Sequence, residues 1–384
     1  FTIYSNDKRV RKSTMITDEY SYINGNYYVT LNNLSGTKTY RALRRGEELI
    51  SKFPDSIDLK ITNKCSIGCP FCHESSISEG KSFDLQKTID VLSQLPKVGI
   101  ELAIGGGDVT EDSVIDDCAV LCKWADDNGF VPRLTINSRS LHTEEKRKKF
   151  HDKLDMVKVF GVSIDRFDKK LINTLEDEYT TYFKTKVYHI IAGIFPPEDL
   201  QELITSGRQV LILGYKNWGR ALGNPPKYDL KEWEKTLKRI LYTRQNNLSA
   251  TIGFDNLAIE QLGVRDCITE ADWKRMYMGD EFTHTMYVDA VSEIFAPTSR
   301  DSFRVSWNDM KILEFFNTYK NDKVNNKSQG RHIFFYNKLT ERQSIAVFPW
   351  QSGAVSPILR DGSLRICIAD RYKFRVPAEM HFLF

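Results

Sequence analysis

Cys65, Cys69 and Cys72 stand in one short stretch, Cys65-Ser-Ile-Gly-Cys69-Pro-Phe-Cys72, directly after the run Ile57-Asp-Leu-Lys-Ile-Thr62. Apolar and polar residues alternate in that run, the pattern of a β-strand with two unlike faces, so the three thiols belong to a loop at a strand's end. A C-x3-C-x2-C loop offers three thiolates on one surface. Three protein ligands leave one iron of a four-iron cubane open as a reaction site, whereas a fourth cysteine would make an electron-transfer cluster. Zinc is the alternative, because it accepts three cysteines and a histidine, and His73 follows Cys72 at once. Adjacent residues seldom reach one tetrahedral ion together, and zinc modules usually pair two separated knuckles. The remaining cysteines, Cys118, Cys122, Cys267 and Cys367, form no second knuckle. Cys118 and Cys122 share a helical stripe with Val114, Leu121 and Ala125, which is a core pattern. His73 and Glu74 read as solvent-facing loop residues.

Further groups suited to chemistry end later strand-like runs. Gly105-Gly106-Gly107-Asp108 closes the run 99–104, and glycines leave backbone N–H and C=O groups open to a ligand, although a plain turn would use them too. Ser163 and Asp165 close the run 157–165 as Ser-Ile-Asp, two apart and therefore on one face. Asp165 could instead cap a helix over 167–175. Asn137 ends the run 132–137. The stretch Gly214-Tyr-Lys216-Asn-Trp218-Gly-Arg220 collects cations and a flat aromatic ring. Arginine binds carboxylate or phosphate in a bidentate manner, though such a loop can also hold incidental charge.

The cysteine spacing, its Cys-Pro-Phe-Cys ending and the glycine run one strand later resemble the radical SAM superfamily, over about residues 54–255. That resemblance implies a partial (β/α)6 barrel and one 4Fe-4S cluster on Cys65, Cys69 and Cys72. S-adenosylmethionine would then chelate the fourth iron through its amino and carboxylate groups. Gly106 and Gly107 match the stretch that binds the methionine amino group, with Asp108-Val109 standing where the family has Glu-Pro, and Gly105 beside them is counted with Asp108 among the cofactor-binding candidates. Ser163, Asp165 and Asn137 would meet the ribose or carboxylate, and Phe71 and Gly214 would lie near the adenine. Lys216, Trp218 and Arg220 are left for the substrate.

The implied activity is reductive cleavage of S-adenosylmethionine to a 5′-deoxyadenosyl radical that abstracts a substrate hydrogen, fed by a flavodoxin- or ferredoxin-type reductant. The flanking regions are similar to those of peptide- and protein-modifying members such as sulfatase maturases and epimerases. No cysteine-rich extension is present, so a single cluster is expected. A nucleotide or other small anionic substrate, as in viperin-like enzymes, would suit Lys216 and Arg220. A zinc-stabilised binding or structural protein is the reading from another class.

The elements that must hold these groups are an α/β alternation. Residues 1–53 read as β-hairpins around Asn24-Gly25. Residues 54–255 repeat strand, loop and helix, with helices predicted over 85–95, 111–128, 143–154 and 230–244, and a possible seventh strand over 248–254. Residues 256–320 form an α+β extension with one strand over 284–295 and a last helix over 308–319. Residues 321–329 read as a linker, and 321–384 as a basic, aromatic tail without a recognisable fold.

The chain has 384 residues, 41% hydrophobic, and a net charge of +3. That length and apolar content suffice for one large core. Mean hydropathy is −0.41, and no apolar run reaches the roughly 20 residues of a membrane span. Nine Lys/Arg face five Asp/Glu in residues 1–53, and ten face five in 322–384. These basic ends could meet an anionic partner. A chain that opens on Phe1, without methionine or a secretory pattern, is expected to be a trimmed cytoplasmic protein.

Overall fold

The computed structural model describes residues 19–34, 36, 38–181, 184–243, 251–277 and 281–328. Seven strands run parallel and side by side: β4 (Ser56–Thr62), β5 (Ile100–Gly106), β6 (Phe130–Asn137), β7 (Val159–Ser163), β8 (Thr185–Ile191), β9 (Gln209–Leu213) and β10 (Thr251–Phe254). Between them lie α1 (Leu85–Leu92), α2 (Ile115–Asp127), α3 (Glu144–Lys153), α4 (Lys169–Thr181), α5 (Pro197–Thr205) and α6 (Leu230–Thr243). The predicted seventh strand is therefore β10. Helix α2 starts four residues later than the pattern predicts, because 108–114 is taken up by turns behind the glycine run; Asp116 and Asp117 occupy its first turn.

The sheet stays open, in the manner of a partial barrel. Its far side is completed by β11 (Thr285–Asp289), which pairs parallel with β4, followed by antiparallel β12 (Ile294–Ala296) and β13 (Val305–Ser306). The predicted single strand over 284–295 is thus two strands, broken by a turn in which Glu293 takes φ +56°. Short helices α7 (Asn256–Gln261) and α8 (Glu270–Met276) precede β11, and α9 (Ile312–Ser328) runs on through the predicted linker. The tail beyond Ser328, Cys367 and the first eighteen residues lie outside the described residues. No helix among those described is long and apolar enough to cross a membrane.

Strand alternation sorts the sheet into two faces. Ile57, Leu59, Ile61, Leu102, Ile104, Ile136 and Val162 belong to the buried apolar core. Pairing register puts the polar positions on the opposite, inner face: Asp58 faces Ala103 and Tyr287, Lys60 faces Gly105 and Asp289, and Asn137 faces Ser163, which faces His189.

Antiparallel strands β1 (Glu19–Asn24), β2 (Tyr27–Asn32) and β3 (Lys38–Ala42) close the N-terminal end of the barrel. The first hairpin turns on Gly25-Asn26 with Gly25 at φ +62°, a glycine-first loop, while Asn24 stays in the strand. Asn24 is buried and holds the following segment: its amide accepts from Lys52 N (2.6 Å) and donates to Asp55 (2.8 Å). Asp55 also accepts from Tyr22 and Tyr27, and His284 stands 3.6 Å away. Lys38 pairs with Glu101 and donates to Asp55 O at 3.0 Å. Arg133 lies 3.6 Å from Glu101 and donates to Asn33 at 2.7 Å.

Candidate functional site

At the C-terminal ends of the strands, the cysteine loop leaves β4 and folds back on itself. Cys65 N donates to Ile77 O (2.9 Å), Cys72 N to Cys69 O (3.2 Å) and Ser75 N to Cys72 O (3.3 Å). Gly68 makes the tight turn at φ +67°, a conformation that side chains resist. The loop is pinned from outside by Glu111, which accepts from Ser66 N at 2.7 Å.

Cys65, Cys69 and Cys72 are all half-buried and free. Burial pushes the thiols of Cys65 and Cys69 up, and the neighbouring cysteines push them further. Among the described residues, no three His, Cys, Asp or Glu side chains close on a single metal ion. As a donor set, three thiols on one loop suit an iron–sulfur cluster with one iron left open. Asn137 points its amide nitrogen at Cys69 Sγ, 3.9 Å away, the kind of contact that tunes a metal-bound sulfur.

The three glycines separate by role. A Cβ on Gly106 would lie 2.5 Å from Thr62 O, and one on Gly107 2.1 Å from Lys64 O. Both are needed so that this loop can lie against the base of the cysteine loop, where Gly107 N donates to Thr62 O and Asp108 N to Lys64 O, each at 2.7 Å. A Cβ on Gly105 would meet nothing within 4 Å. Gly105 is the glycine that leaves room on the inner face. Asp108 turns away from it, accepting from Thr110 N (3.0 Å) and from the hydroxyls of Thr110 and Ser140.

Ser163 ends β7 on the inner face, while Asp165 lies beyond the strand and pairs with Arg139. Asp165 does not cap the next helix; Asp168 does, accepting from Leu171 N at 3.0 Å. Gly214 has no space around it, since a Cβ there would strike Leu257 and Ala258 of α7, and its N–H donates to Asp255 at 2.8 Å. Phe71 is half-buried in the cysteine loop.

The loop after β9 is brought onto the cysteine loop: Arg220 N donates to Cys72 O at 3.1 Å, and Gly219, at φ +57°, packs on His73. Nε and Nη2 of Arg220 are buried with no hydrogen-bond partner among the described residues. Lys216 reaches His73 Nε2 at 3.5 Å, and Trp218 is 41% exposed. His73 and Glu74 do not form a solvent-facing pair. Glu74 turns inward to Lys60 at 2.7 Å and to His73 at 3.3 Å. Burial works against its charge, but His73 and Lys60 outweigh this and hold Glu74 well below the usual carboxylate range.

Three inner-face groups are absent from the sequence reading. His189 is 7% exposed and lies over Gly161, where a Cβ would come within 2.3 Å of the imidazole; its Nε2 has no partner among the described residues. Burial lowers it to about 4, so it is neutral at pH 7. Lys60 is shared between Glu74 and Asp289 (3.4 Å). Burial holds Asp58 up at about 6, with Lys216 pulling the other way. Strand alternation alone groups Asp58 with Lys60 on one face of β4, but only the pairing register shows that this face, and that of His189, is the inner one.

No model of a known protein family matches the chain, and no curated protein does. Solved structures do. SuiB of Streptococcus suis bound to S-adenosylmethionine aligns over 73% of this chain and 68% of its own, with a TM-score of 0.52 and 14% identity. A second structure of SuiB of Streptococcus suis aligns at a TM-score of 0.49 over 70% of this chain and 66% of its own, with 16% identity. The protein anSMEcpe with bound AdoMet and Cp18Cys peptide aligns at 0.47 over 70% and 82%, with 13% identity. The first likeness shows the fold, an open α/β barrel of the radical SAM type.

Proposed function

We propose that the protein is a radical SAM enzyme acting on a peptide or protein. The observation that carries this is the convergence of three free cysteines on one loop at the open end of such a barrel. Cys65, Cys69 and Cys72 would hold the 4Fe-4S cluster. With S-adenosylmethionine on its open iron, the cluster supplies one-electron cleavage and a hydrogen-abstracting radical, and a small reductase protein supplies the electron. The chain's own work is to bind and exclude water. Gly105 leaves space for the methionine moiety, while Gly106 and Gly107 fix the loop on which it rests. The neutral row Asn137, Ser163 and His189 faces the nucleoside. Phe71 and Gly214 belong to the wall, and Asp165 and Asp108 orient Arg139 and Ser140.

Anaerobic reconstitution should yield brown protein with about four irons and four sulfides per chain. Cys69→Ala should abolish the colour and all release of 5′-deoxyadenosine. Stoichiometric zinc without labile sulfide would refute the assignment. Gly105→Val should block cleavage while the cluster still forms, since only the ligand space is filled; unchanged cleavage would move the cofactor elsewhere.

One observation favours a second substrate class. The guanidinium of Arg220, without an acidic partner among the described residues and close to Lys216, suits a nucleotide or other small anion. Arg220→Ala would then raise KM for the anionic substrate and leave substrate-free cleavage as it was.

A further inference from the structure

Around the open end of the barrel, the inner face divides into a neutral half and a charged half. Asn137, Ser163 and His189 occupy one row across β6, β7 and β8. The charged half lies on β4 and β11, and most of its groups have partners. Lys60 closes on Glu74 and Asp289, and Arg300 lies 3.4 Å from Glu281. Asp255 accepts from the backbone of Gly214 and Ala258 at 2.8 and 2.7 Å.

Two oxygen groups are left over. Asp58 and Tyr287 are opposite each other in the β4–β11 register and therefore adjacent on one face. No described residue hydrogen-bonds to the Asp58 carboxyl or the Tyr287 hydroxyl. Tyr287 is 4% exposed, so its ring is enclosed, and the register places it on the inner face beside Asp58. A buried phenol normally finds a partner.

Lys216 does not fill the gap. It acts on Asp58, Asp255 and Glu74 together and approaches His73 rather than either oxygen. Burial still outweighs Lys216 at Asp58, which stays hard to ionise. An added positive group that donates hydrogen bonds would relieve both deficits at once.

We propose that Asp58 and Tyr287 form a substrate subsite for a protonated amine or guanidinium, the side chain of a basic residue in a peptide. The subsite rests on the radical SAM reading only in that this end of the barrel is taken as the open substrate side. Asp58 accepts the charged N–H groups, Tyr287 accepts one more, and the Lys60–Glu74–Asp289 set fixes the wall beside them.

The test uses reconstituted holoenzyme with S-adenosylmethionine and no reductant, so nothing turns over. Nα-acetyl-lysine methylamide, its norleucine counterpart and its glutamate counterpart are titrated by ligand-observed NMR. The lysine probe should bind at least about tenfold tighter than norleucine, the size of one charge-assisted hydrogen bond. Asp58→Asn, nearly isosteric, should reduce lysine to the norleucine level; Tyr287→Phe should lose part of the preference. Equal binding of lysine and norleucine, no binding of any probe, a preference for glutamate, or a lysine preference that survives Asp58→Asn would each overturn the proposal. If the protein fails to bind S-adenosylmethionine yet keeps an Asp58-dependent lysine preference, the subsite stands and the radical SAM reading falls.

Discussion

Asp55 and Asp58 are three residues apart on one strand and its approach, yet they sit in opposite environments. Asp55 faces the closed end, where Tyr22, Asn24 and Tyr27 all donate to it. Burial pushes its carboxyl up, but His284, Lys38 and Tyr27 more than reverse this and leave it below its ordinary value. Asp58 faces the open end with no donor, and burial holds it near 6. The same contrast holds for the neighbouring charges. Lys38, Glu101 and Arg133 are fully enclosed with one another, whereas Arg220 at the mouth has no acidic partner among the described residues. A buried charge paired with an opposite charge maintains a structure; one without such a counter-charge is set up for a ligand. The β1–β3 sheet supplies these partners at the closed end, since it contributes Lys38, Tyr22, Tyr27 and Asn24.

The largest test of this contrast removes a charge from the closed end. Glu101→Leu strands Lys38 and Arg133 in a dry site, and urea denaturation should show a loss of about 3–5 kcal/mol. The folded fraction should still cleave S-adenosylmethionine. Loss of cleavage in folded protein would mean that the two ends are not separate.

Next in size is His189 at the open end. Its proton affinity is lower folded than unfolded, so the unfolded chain binds more protons between about pH 6.5 and pH 4. Stability is therefore complete above 6.5 and falls as pH drops towards 4. His189→Gln should remove roughly 2–3 kcal/mol of that fall. An unchanged acid limb would show that the imidazole is hydrated rather than sealed.

Asp58→Asn should give the smallest change, with the opposite sign. A carboxyl whose folded value is raised to about 6 costs stability increasingly as pH rises from about 4 to 6, and in full above that. The variant should be more stable than the parent by about 1 kcal/mol at pH 7, and equal to it below pH 4, where both are uncharged. Destabilisation at pH 7 would reveal a partner for Asp58 and undo the contrast.

The cysteine loop, the strand–helix alternation and the glycine run were legible because each depends on neighbours in sequence. The buried stripe of Cys118 and Cys122 was legible for the same reason, and both lie fully in the core. Glu74 was misread because its ion pair with Lys60 closes across the loop. The helix-capping alternative for Asp165 failed because the helix begins later, on Asp168. Not legible was that Gly106 and Gly107 are also required by the contact between two loops, through the φ of Gly106 (+115°) and the clash a Cβ would make at either position.

From the sequence alone came the candidate ligand set. Eight residues place three thiols within reach of one another whatever the rest of the chain does, because a short loop cannot separate them. Which groups share the inner space was decided by tertiary structure. Asp58 and Tyr287 meet only because β11 returns from the far end of the chain to pair in parallel with β4, and one step of register would have turned Tyr287 to the opposite face.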